Sequence, residues 1–244
     1  MALPVFILSL EDAVVRRAPL IADFFSRGVP YEIWNAVDGR YGWPAIYDRL
    51  VSRDAARHNL GREIGTAELA CSLSHHLIYR AVIERRLNAA VILEDDAIVG
   101  DRFFDFLQRG QYPKCDLLLL DHSRALVRRT GQLNLSEGTI LHRCACSPHK
   151  TTGYLVTQEG ASRLVDHSTP VAGLADWPMD ISVLRTYAAS PKLVDHPDDA
   201  TAASDIRENR QKLQIASKRR DPKRFLKLSY WQKTLNKRFG KWVS

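Results

Sequence analysis

The chain has 244 residues, of which 45% are hydrophobic and 26% are charged, as in an ordinary soluble globular protein. This length predicts one domain with an appendage, and the apolar start at residues 1–10 is too short to span a membrane, so we expect a cytoplasmic protein. The net charge of +7 is uneven, because residues 207–244 hold 13 Lys/Arg and 2 Asp/Glu and leave 22 basic and 26 acidic residues for the rest.

The N-terminal part of the chain is expected to form a strand–helix–strand unit. The predicted elements are a buried strand at residues 4–10, a helix at 13–27 ending at Gly28, and a strand at 31–37 closed by Asp38-Gly39. This order predicts a parallel pair of strands with a right-handed crossover. Residues 41–60 show no clean period and predict loop and short helix.

The remaining elements alternate between helices and strands. Helices are predicted at residues 66–87 with Thr66 as N-cap, 101–109, 158–167 and 180–188, and strands at 89–93, 115–120, 139–146 and 154–157. Such alternation over about 200 residues is typical of a doubly wound α/β domain.

The apolar run at residues 89–93 ends in three carboxylates, Glu94, Asp95 and Asp96. Ligands of open α/β sheets bind outside the carboxyl ends of the strands, and crowded carboxylates there are best tolerated around a cation. Oxygen ligands suit Mg²⁺ or Mn²⁺ shared with a substrate diphosphate. The alternative is a solvated turn or a helix cap.

The four cysteines are too sparse for a disulfide framework, so reduced thiols are expected. His142, Cys144, Cys146 and His149 could supply four zinc ligands, but the usual C-x₂-C spacing is missing. Buried thiols on a sheet face are the favoured interpretation.

Five segments occur in an order that resembles glycosyltransferase family 25. They are Ile7-Leu8-Ser9-Leu10 with Arg16-Arg17, residues 35–40 (NAVDGR), 68–75 (ELACSLSH), 91–96 (VILEDD) and 152–156 (TGYLV). The resemblance spans about residues 5–210, and the ordered set is far more specific than any one segment. One departure is that Ala67 and Ala70 stand where the family usually carries glycines.

The resemblance implies an inverting transfer from a UDP-sugar, most simply UDP-galactose, with a divalent metal, Mn²⁺ or Mg²⁺. It also implies a GT-A-like, single Rossmann-type domain with a mixed, mostly parallel sheet, which we place at residues 1–205. The charge and spacing of residues 206–244 predict a basic, amphipathic helical tail after this domain. The acceptor implied is a saccharide of lipopolysaccharide or lipooligosaccharide biosynthesis.

Within that family, a metal must neutralise the departing UDP, and Asp96 is the first candidate ligand, with Glu94 as second. The candidate donor-binding residues are Leu8, Ser9, Arg16, Asp38, Ser74, His75, Glu94 and Asp95. Three alternatives stay open: a solvated helix position for Arg16 or Arg17, a simple Asp-Gly turn at Asp38, and a core histidine at His75.

Inversion requires a general base that deprotonates the acceptor hydroxyl. The segment at residues 175–180 (ADWPMD) offers Asp176 and Asp180, with Trp177 able to stack on a sugar face. Asp176 is the favoured base, and Asp180 is a rival that could instead cap the following helix.

The basic tail carries an aromatic stripe with helical spacing. Its residues are Phe225, Leu228, Trp231, Leu235, Phe239 and Trp242, and Lys227, Lys233, Lys237, Arg238 and Lys241 lie on the other side. A helix of this kind suits the anionic inner face of the cytoplasmic membrane, where a lipid-linked acceptor would lie. The alternative is a final helix packed on the domain. Arg207 and Arg210, at the start of the tail, could either contact the donor diphosphate or have a purely surface role.

Two other functions remain as alternatives. The tail suggests a nucleic-acid-binding protein, although the body is net acidic and no recognised nucleic-acid motif occurs, so no nucleic acid partner is expected. The second alternative is an inert relative that binds a sugar nucleotide without transferring the sugar.

Overall fold

The computed structural model describes residues 3–197 and 239–244, and is built around one eight-stranded mixed sheet. The strands are β1 Val5–Ser9, β2 Glu32–Asn35, β3 Ala89–Glu94, β4 Ile98–Val99, β5 Leu117–Leu119, β6 Ala125–Val127, β7 Leu133–Ser136, β8 Thr139–Arg143, β9 Gly153–Thr157, β10 Thr186–Ser190, β11 Val194–Asp195 and β12 Lys241–Val243. The helices are α1 Val14–Ser26, α2 Arg53–Leu60, α3 Thr66–Glu84, α4 Asp101–Arg109 and α5 Gln158–His167, with short 3₁₀ helices at Ala45–Leu50 and Ile181–Val183.

The strand order of the main sheet is β2-β1-β3-β9-β5-β10-β8-β7. β1 is parallel to both β2 and β3, and β5 is parallel to β10, whereas β9 runs antiparallel between β3 and β5. With β8 also reversed against its neighbours, six of the eight strands point the same way. The predicted α/β fold with a mixed, mostly parallel sheet is therefore confirmed, and the carboxyl ends of β1, β3 and β5 share one edge.

Alternation of side chains along the strands divides the core between the two faces of the sheet. Val5 and Ile7 of β1 pack with α1 and α4, whereas Phe6 and Leu8 pack with α3 and α5. The central strands are apolar on both faces, as expected for strands buried under helices on each side. This three-layer packing holds the carboxyl ends of the strands in fixed positions.

The predicted helix at residues 180–188 is wrong. The chain forms a 3₁₀ turn at Ile181–Val183 and then enters β10, which pairs in parallel with β5. Thr186, Ala188 and Ala189 are fully buried there, so tertiary pairing overrides the local helical pattern. At α3, Gly65 rather than Thr66 is the N-cap, and the Glu68 carboxylate accepts a hydrogen bond from its backbone N–H.

The predicted tail helix lies mostly outside the described residues, and its last residues differ from the prediction. Lys241–Val243 forms β12, which pairs antiparallel with β6. Trp242 is half-exposed under the Arg124 guanidinium, and Arg129 donates to the Phe239 carbonyl. Trp242 is thus in a strand, not on a helical stripe. In the described ranges no helix is both long and apolar enough to span a membrane.

Candidate active site

The acidic residues that follow β3 lie beside the end of β1. Leu8 is in register with Glu94, so the next residues, Ser9 and Asp95, meet just beyond the paired strands. The Ser9 hydroxyl donates to Asp95 Oδ2 at 2.9 Å. The parallel pairing of β1 and β3 therefore brings two sequence-predicted site residues, 86 positions apart, into direct contact.

Arg16, in the first turn of α1, bridges the two aspartates. Its Nε lies 2.9 Å from Asp95 Oδ1, and its Nη2 lies 2.5 Å from Asp96 Oδ2. Burial raises the pKa of Asp95, and Arg16 and Ser9 offset only part of that rise. The solvated position considered for Arg16 does not hold, because its head group is a counter-ion of the acidic turn.

Arg17 has different hydrogen-bond partners from those of Arg16. It donates to the Ser9 hydroxyl and to the carbonyls of Leu10 and Glu11, at 2.8 to 3.2 Å. Arg17 thus stabilises the loop between β1 and α1 and holds the Ser9 hydroxyl through a hydrogen bond.

Glu94 has a different set of partners from the two aspartates. Thr151 Oγ1 donates to Glu94 Oε1 at 2.6 Å, and His75 Nε2 lies 3.4 Å from the same oxygen without hydrogen-bond geometry. Burial disfavours the charged carboxylate, but contacts with His75, Thr151 and Arg16 outweigh it, so the pKa of Glu94 lies below its ordinary value. Glu94 is therefore held as a carboxylate.

His75 is buried between Glu94 and a pair of tyrosines. Its Nδ1 lies 2.8 Å from the Tyr154 hydroxyl, which is 3.4 Å from the Tyr79 hydroxyl. Burial raises the pKa of both tyrosines, so each stays protonated and able to donate. The neighbouring His76 is buried as well, against Ser168, so both histidines lie in the interior of the protein.

One short loop connects Asp176 with the acidic edge. The Lys150 backbone N–H donates to Asp176 Oδ1 at 3.1 Å, and His149 Nδ1 lies 3.2 Å from Asp176 Oδ2. The next residue of this loop is Thr151, which donates to Glu94. The side chain of Asp176 is 40% exposed, so a carboxylate held by the loop still reaches solvent.

Asp176 and Trp177 also line a cleft of about 640 Å³. Its lining also includes Asn59 and Leu60 at the end of α2 and Ser72 of α3. The Trp177 indole donates to the Pro148 carbonyl and packs edge-on against Tyr154 at 5.3 Å between ring centroids. The cleft therefore presents an aromatic ring and a carboxylate in a volume that suits a small ligand, and the loop at residues 149–151 links Asp176 to Glu94 of the acidic edge.

Three residues expected at the site have structural contacts instead. The Leu8 side chain is in the core. The Ser74 hydroxyl accepts from the Val37 N–H and donates to the Ala70 carbonyl, which ties α3 to the end of β2. Asp180 Oδ1 accepts hydrogen bonds from the hydroxyl and N–H of Ser182 and caps the 3₁₀ turn, which agrees with the alternative that Asp180 is a capping residue.

Asp38 is neither a simple turn residue nor free to bind a nucleotide without rearrangement. Both of its oxygens accept from Arg40, whose guanidinium also contacts Asp12 at 2.7 Å. Hydrogen bonds from Arg40 hold the pKa of Asp38 below its usual range. The result is an ion-paired cluster at the end of the turn.

The turn after Asp38 lies directly against α3. A Cβ on Gly39 would be 2.6 Å from the Ala70 Cβ and 2.7 Å from the Ala67 Cα, so only glycine fits. Ala67 and Ala70, the positions that depart from the family pattern, therefore have small side chains in a tight contact with the backbone of this turn.

No group of three His, Cys, Asp or Glu side chains suited to a metal occurs in the described ranges, and the zinc alternative at residues 142–149 is therefore wrong. A divalent cation bound with a nucleotide needs fewer protein ligands, since Mg²⁺ is usually held by one or two carboxylates plus phosphates and waters. Asp96 Oδ1 is a buried atom without a hydrogen-bond partner, which suits it to such a cation.

Sequence reasoning missed most of the residues that hold the candidate carboxylates. Lys150 and Thr151 carry no motif of their own, and the sequence indicates His149 only as a possible zinc ligand, although Thr152-Gly153-Tyr154 directly after them belongs to the family pattern. Their roles depend on contacts with Asp176 and Glu94 that span 26 to 57 residues along the chain. Only the antiparallel insertion of β9 brings this loop to the edge.

A sheet covered by helices on both faces, with polar residues clustered at its carboxyl edge, places the chain among the open α/β proteins, a class whose ligands bind outside the carboxyl ends of the strands. The chain belongs to glycosyltransferase family 25, because the model described as "Glycosyltransferase family 25 (LPS biosynthesis protein)" matches residues 2–183. The resemblance inferred from the ordered segments is thereby confirmed.

Three relatives show the breadth of the family. The Haemophilus influenzae lipooligosaccharide biosynthesis protein lic2B is 20% identical over 241 residues, covering 91% of this chain and 88% of lic2B. Human procollagen galactosyltransferase 2 is 23% identical and covers 66% of this chain, and mouse inactive glycosyltransferase 25 family member 3 is 30% identical and covers 43%. The matches span only 27% and 18% of these two animal proteins.

Proposed function

We propose that this protein is a metal-dependent, inverting glycosyltransferase. It would transfer galactose, a hexose, from UDP-galactose to a saccharide acceptor of lipopolysaccharide or lipooligosaccharide biosynthesis. The observation that carries the proposal is the pairing of the Glu94–Asp96 edge with an Asp176-lined cleft through the loop at residues 149–151. This arrangement offers a donor site and an acceptor site side by side in a GT-A-like domain.

On the donor side, Asp96 would hold Mn²⁺ or Mg²⁺ through its unpartnered Oδ1, with Glu94 as a second ligand. When bound, such an ion neutralises the negative charge of the departing UDP. Ser9 contacts Asp95 and His75 contacts Glu94 beside this position. Leu8 and Ser74 would contribute indirectly, Leu8 by packing in the core and Ser74 by accepting a hydrogen bond from the Val37 N–H. Asp38 would contact the nucleotide only by exchanging its Arg40 partner.

On the acceptor side, Asp176 would act as the base. Its carboxylate takes the proton of the acceptor hydroxyl while that oxygen forms a bond to the anomeric carbon and the bond from this carbon to the UDP oxygen breaks. Attack on the face opposite the leaving group inverts the configuration. Asp176 is favoured over Asp180, since Asp180 caps a turn while Asp176 lines the cleft beside Trp177.

Thermal unfolding with a panel of nucleotide sugars, with and without Mn²⁺, tests the proposed donor. At a hundredfold excess over Kd, UDP-galactose with Mn²⁺ should raise the melting temperature by about 5–10 °C. The same mixture should then transfer galactose to a lipooligosaccharide acceptor. Binding without transfer to any saccharide would instead indicate an inert relative, and stabilisation by no nucleotide sugar would refute the proposal.

The C-terminal segment at residues 206–244 is proposed to hold the enzyme on the anionic inner face of the cytoplasmic membrane, near a lipid-linked acceptor. Since each basic side chain near such a surface contributes about 1 kcal/mol, changing Lys227, Lys233 and Lys237 together to glutamate should weaken vesicle binding more than about a hundredfold. Truncation would be a poor test, because it removes β12 from its pairing with β6.

Co-sedimentation with anionic and neutral vesicles measures this effect. The matched control is the triple change of Arg102, Arg109 and Lys114 to glutamate, which alters three exposed cations of the domain by the same charge. Equal pelleting of the tail variant and the control would refute the membrane proposal. Tight, salt-sensitive binding to DNA or RNA in place of vesicles would favour the nucleic-acid alternative.

A further inference from the structure

We propose that Arg16 is an internal counter-ion that occupies the acidic edge in the free enzyme, excludes a divalent cation from it, and moves to the donor diphosphate when metal and donor bind together. The inference rests on the proposed function and adds a coupling between its two ligands. Such coupling would keep the site from capturing free metal ions before a sugar nucleotide arrives.

The geometry of Arg16 is that of a bridge between two unequal carboxylates. Asp95 is satisfied on both oxygens, by Arg16 Nε and by the Ser9 hydroxyl. Asp96 is satisfied on Oδ2 alone, and its buried Oδ1 has no hydrogen-bond partner. Arg16 therefore neutralises only part of the charge of the acidic edge, and one oxygen of Asp96, the residue proposed to bind the metal, is left without a partner.

Arg16 is also the residue of this edge that is able to move. Its side chain is 46% exposed, while that of Asp95 is 8% exposed. Its neighbour Arg17 is fixed by three acceptors of the β1–α1 loop. An arginine on the first turn of a helix can swing its head group toward solvent without disturbing the backbone, and its planar fork suits a diphosphate as well as a carboxylate.

A guanidinium and a divalent cation compete for Asp96, although Arg16 contacts one of its oxygens and the ion would take the other. Two cations a few ångströms apart repel each other in a partly buried site, and this repulsion favours displacement of the Arg16 head group by the ion. The displaced guanidinium needs a new anion, which the diphosphate supplies. By linkage, metal and nucleotide should each raise the affinity of the other.

Calorimetric titration of Mn²⁺ into the full-length protein, with and without UDP, tests the coupling. We expect UDP to tighten Mn²⁺ binding to the wild type about tenfold or more, within the usual range of such coupling. In Arg16→Gln, Mn²⁺ alone should bind about tenfold tighter than it binds to the wild type, and the tightening by UDP should shrink by the same factor. Arg16→Lys should fall between the two, because a point charge cannot bridge both carboxylates.

Thermal unfolding in chelator gives a second readout that involves no turnover. Arg16→Gln leaves buried Asp95 without its counter-ion, so its melting temperature should drop in chelator and recover with Mn²⁺ more than that of the wild type does. The control is Arg27→Gln, at the end of the same helix, which breaks an exposed ion pair with Asp101 and should change neither measurement.

The outcomes separate this inference from the proposed function. Unchanged or weaker Mn²⁺ binding in both Arg16 variants would overturn the inference and leave the transferase proposal standing. If UDP failed to bind the wild type, the donor proposal would fail, and the Mn²⁺ titrations alone would still decide whether Arg16 competes with a cation. Absence of Mn²⁺ binding to every variant would overturn the inference together with the metal dependence.

Discussion

Replacing Asp96 with asparagine is expected to lower kcat/KM for sugar transfer about a thousandfold or more, the equivalent of roughly 4 kcal/mol of transition-state stabilisation. Asparagine keeps the shape of the side chain but removes the negative charge that the proposed cation needs. The amide also loses the ion pair with Arg16, so Mn²⁺ binding in the presence of UDP should weaken in parallel. Initial rates across Mn²⁺ concentrations measure both effects.

The matched control for this variant is Asp101→Asn. Asp101 is an exposed acidic residue in the first turn of α4, and its partner Arg27 lies at the opposite end of α1 from Arg16. Its loss should leave transfer within a factor of about two, since exposed ion pairs contribute little. Retention of full, Mn²⁺-dependent transfer by Asp96→Asn would remove the foundation of the proposed donor site.

The second large effect is expected at Asp176. Asp176→Asn should reduce kcat by about a hundredfold to ten-thousandfold, the usual contribution of a general base, while binding of UDP and Mn²⁺ stays near wild type. The asparagine carbonyl can still accept from the Lys150 N–H, so the loop at residues 149–151 keeps its anchor. The loss then reports proton transfer rather than a displaced loop.

Asp180→Asn separates the two candidate bases. Asparagine is as good a helix cap as aspartate, so the turn that follows should keep its stability and transfer should stay near wild type. Single-turnover rates together with UDP titration by calorimetry distinguish chemistry from binding in both variants. A large fall in rate at Asp180 with none at Asp176 would reverse the assignment.

Membership of the family does not by itself establish turnover. One relative is named an inactive member of the family, and it shares more identity with this chain over its matched region than lic2B does. Sequence similarity indicates a shared fold and a shared location of the site, whereas activity depends on a few side chains held in the correct geometry. The carboxylates of Glu94, Asp96 and Asp176, each held by defined partners, are the groups that the proposed transfer needs.

Much of the fold follows from local patterns that the sequence displays. Apolar runs flanked by charge predicted the buried strands, and the helices predicted at residues 101–109 and 158–167 begin and end at those residues. The wrong prediction at residues 180–188 is informative, because a segment predicted to be helical instead forms β10 and pairs in parallel with β5. Pairing with a distant strand outweighed the local preference.

The identity of the candidate acids could likewise be read from the chain, since a buried strand that ends in three carboxylates marks the edge where α/β proteins bind ligands. The sequence alone thus determined the fold class, the family and the acidic turn. Only the tertiary structure decided that Arg16 bridges Asp95 and Asp96, and that one loop joins Asp176 to Glu94. These contacts join residues 26 to 80 positions apart. No local pattern encodes such pairs, because they exist only once β9 is inserted between β3 and β5 and α1 is packed against the sheet.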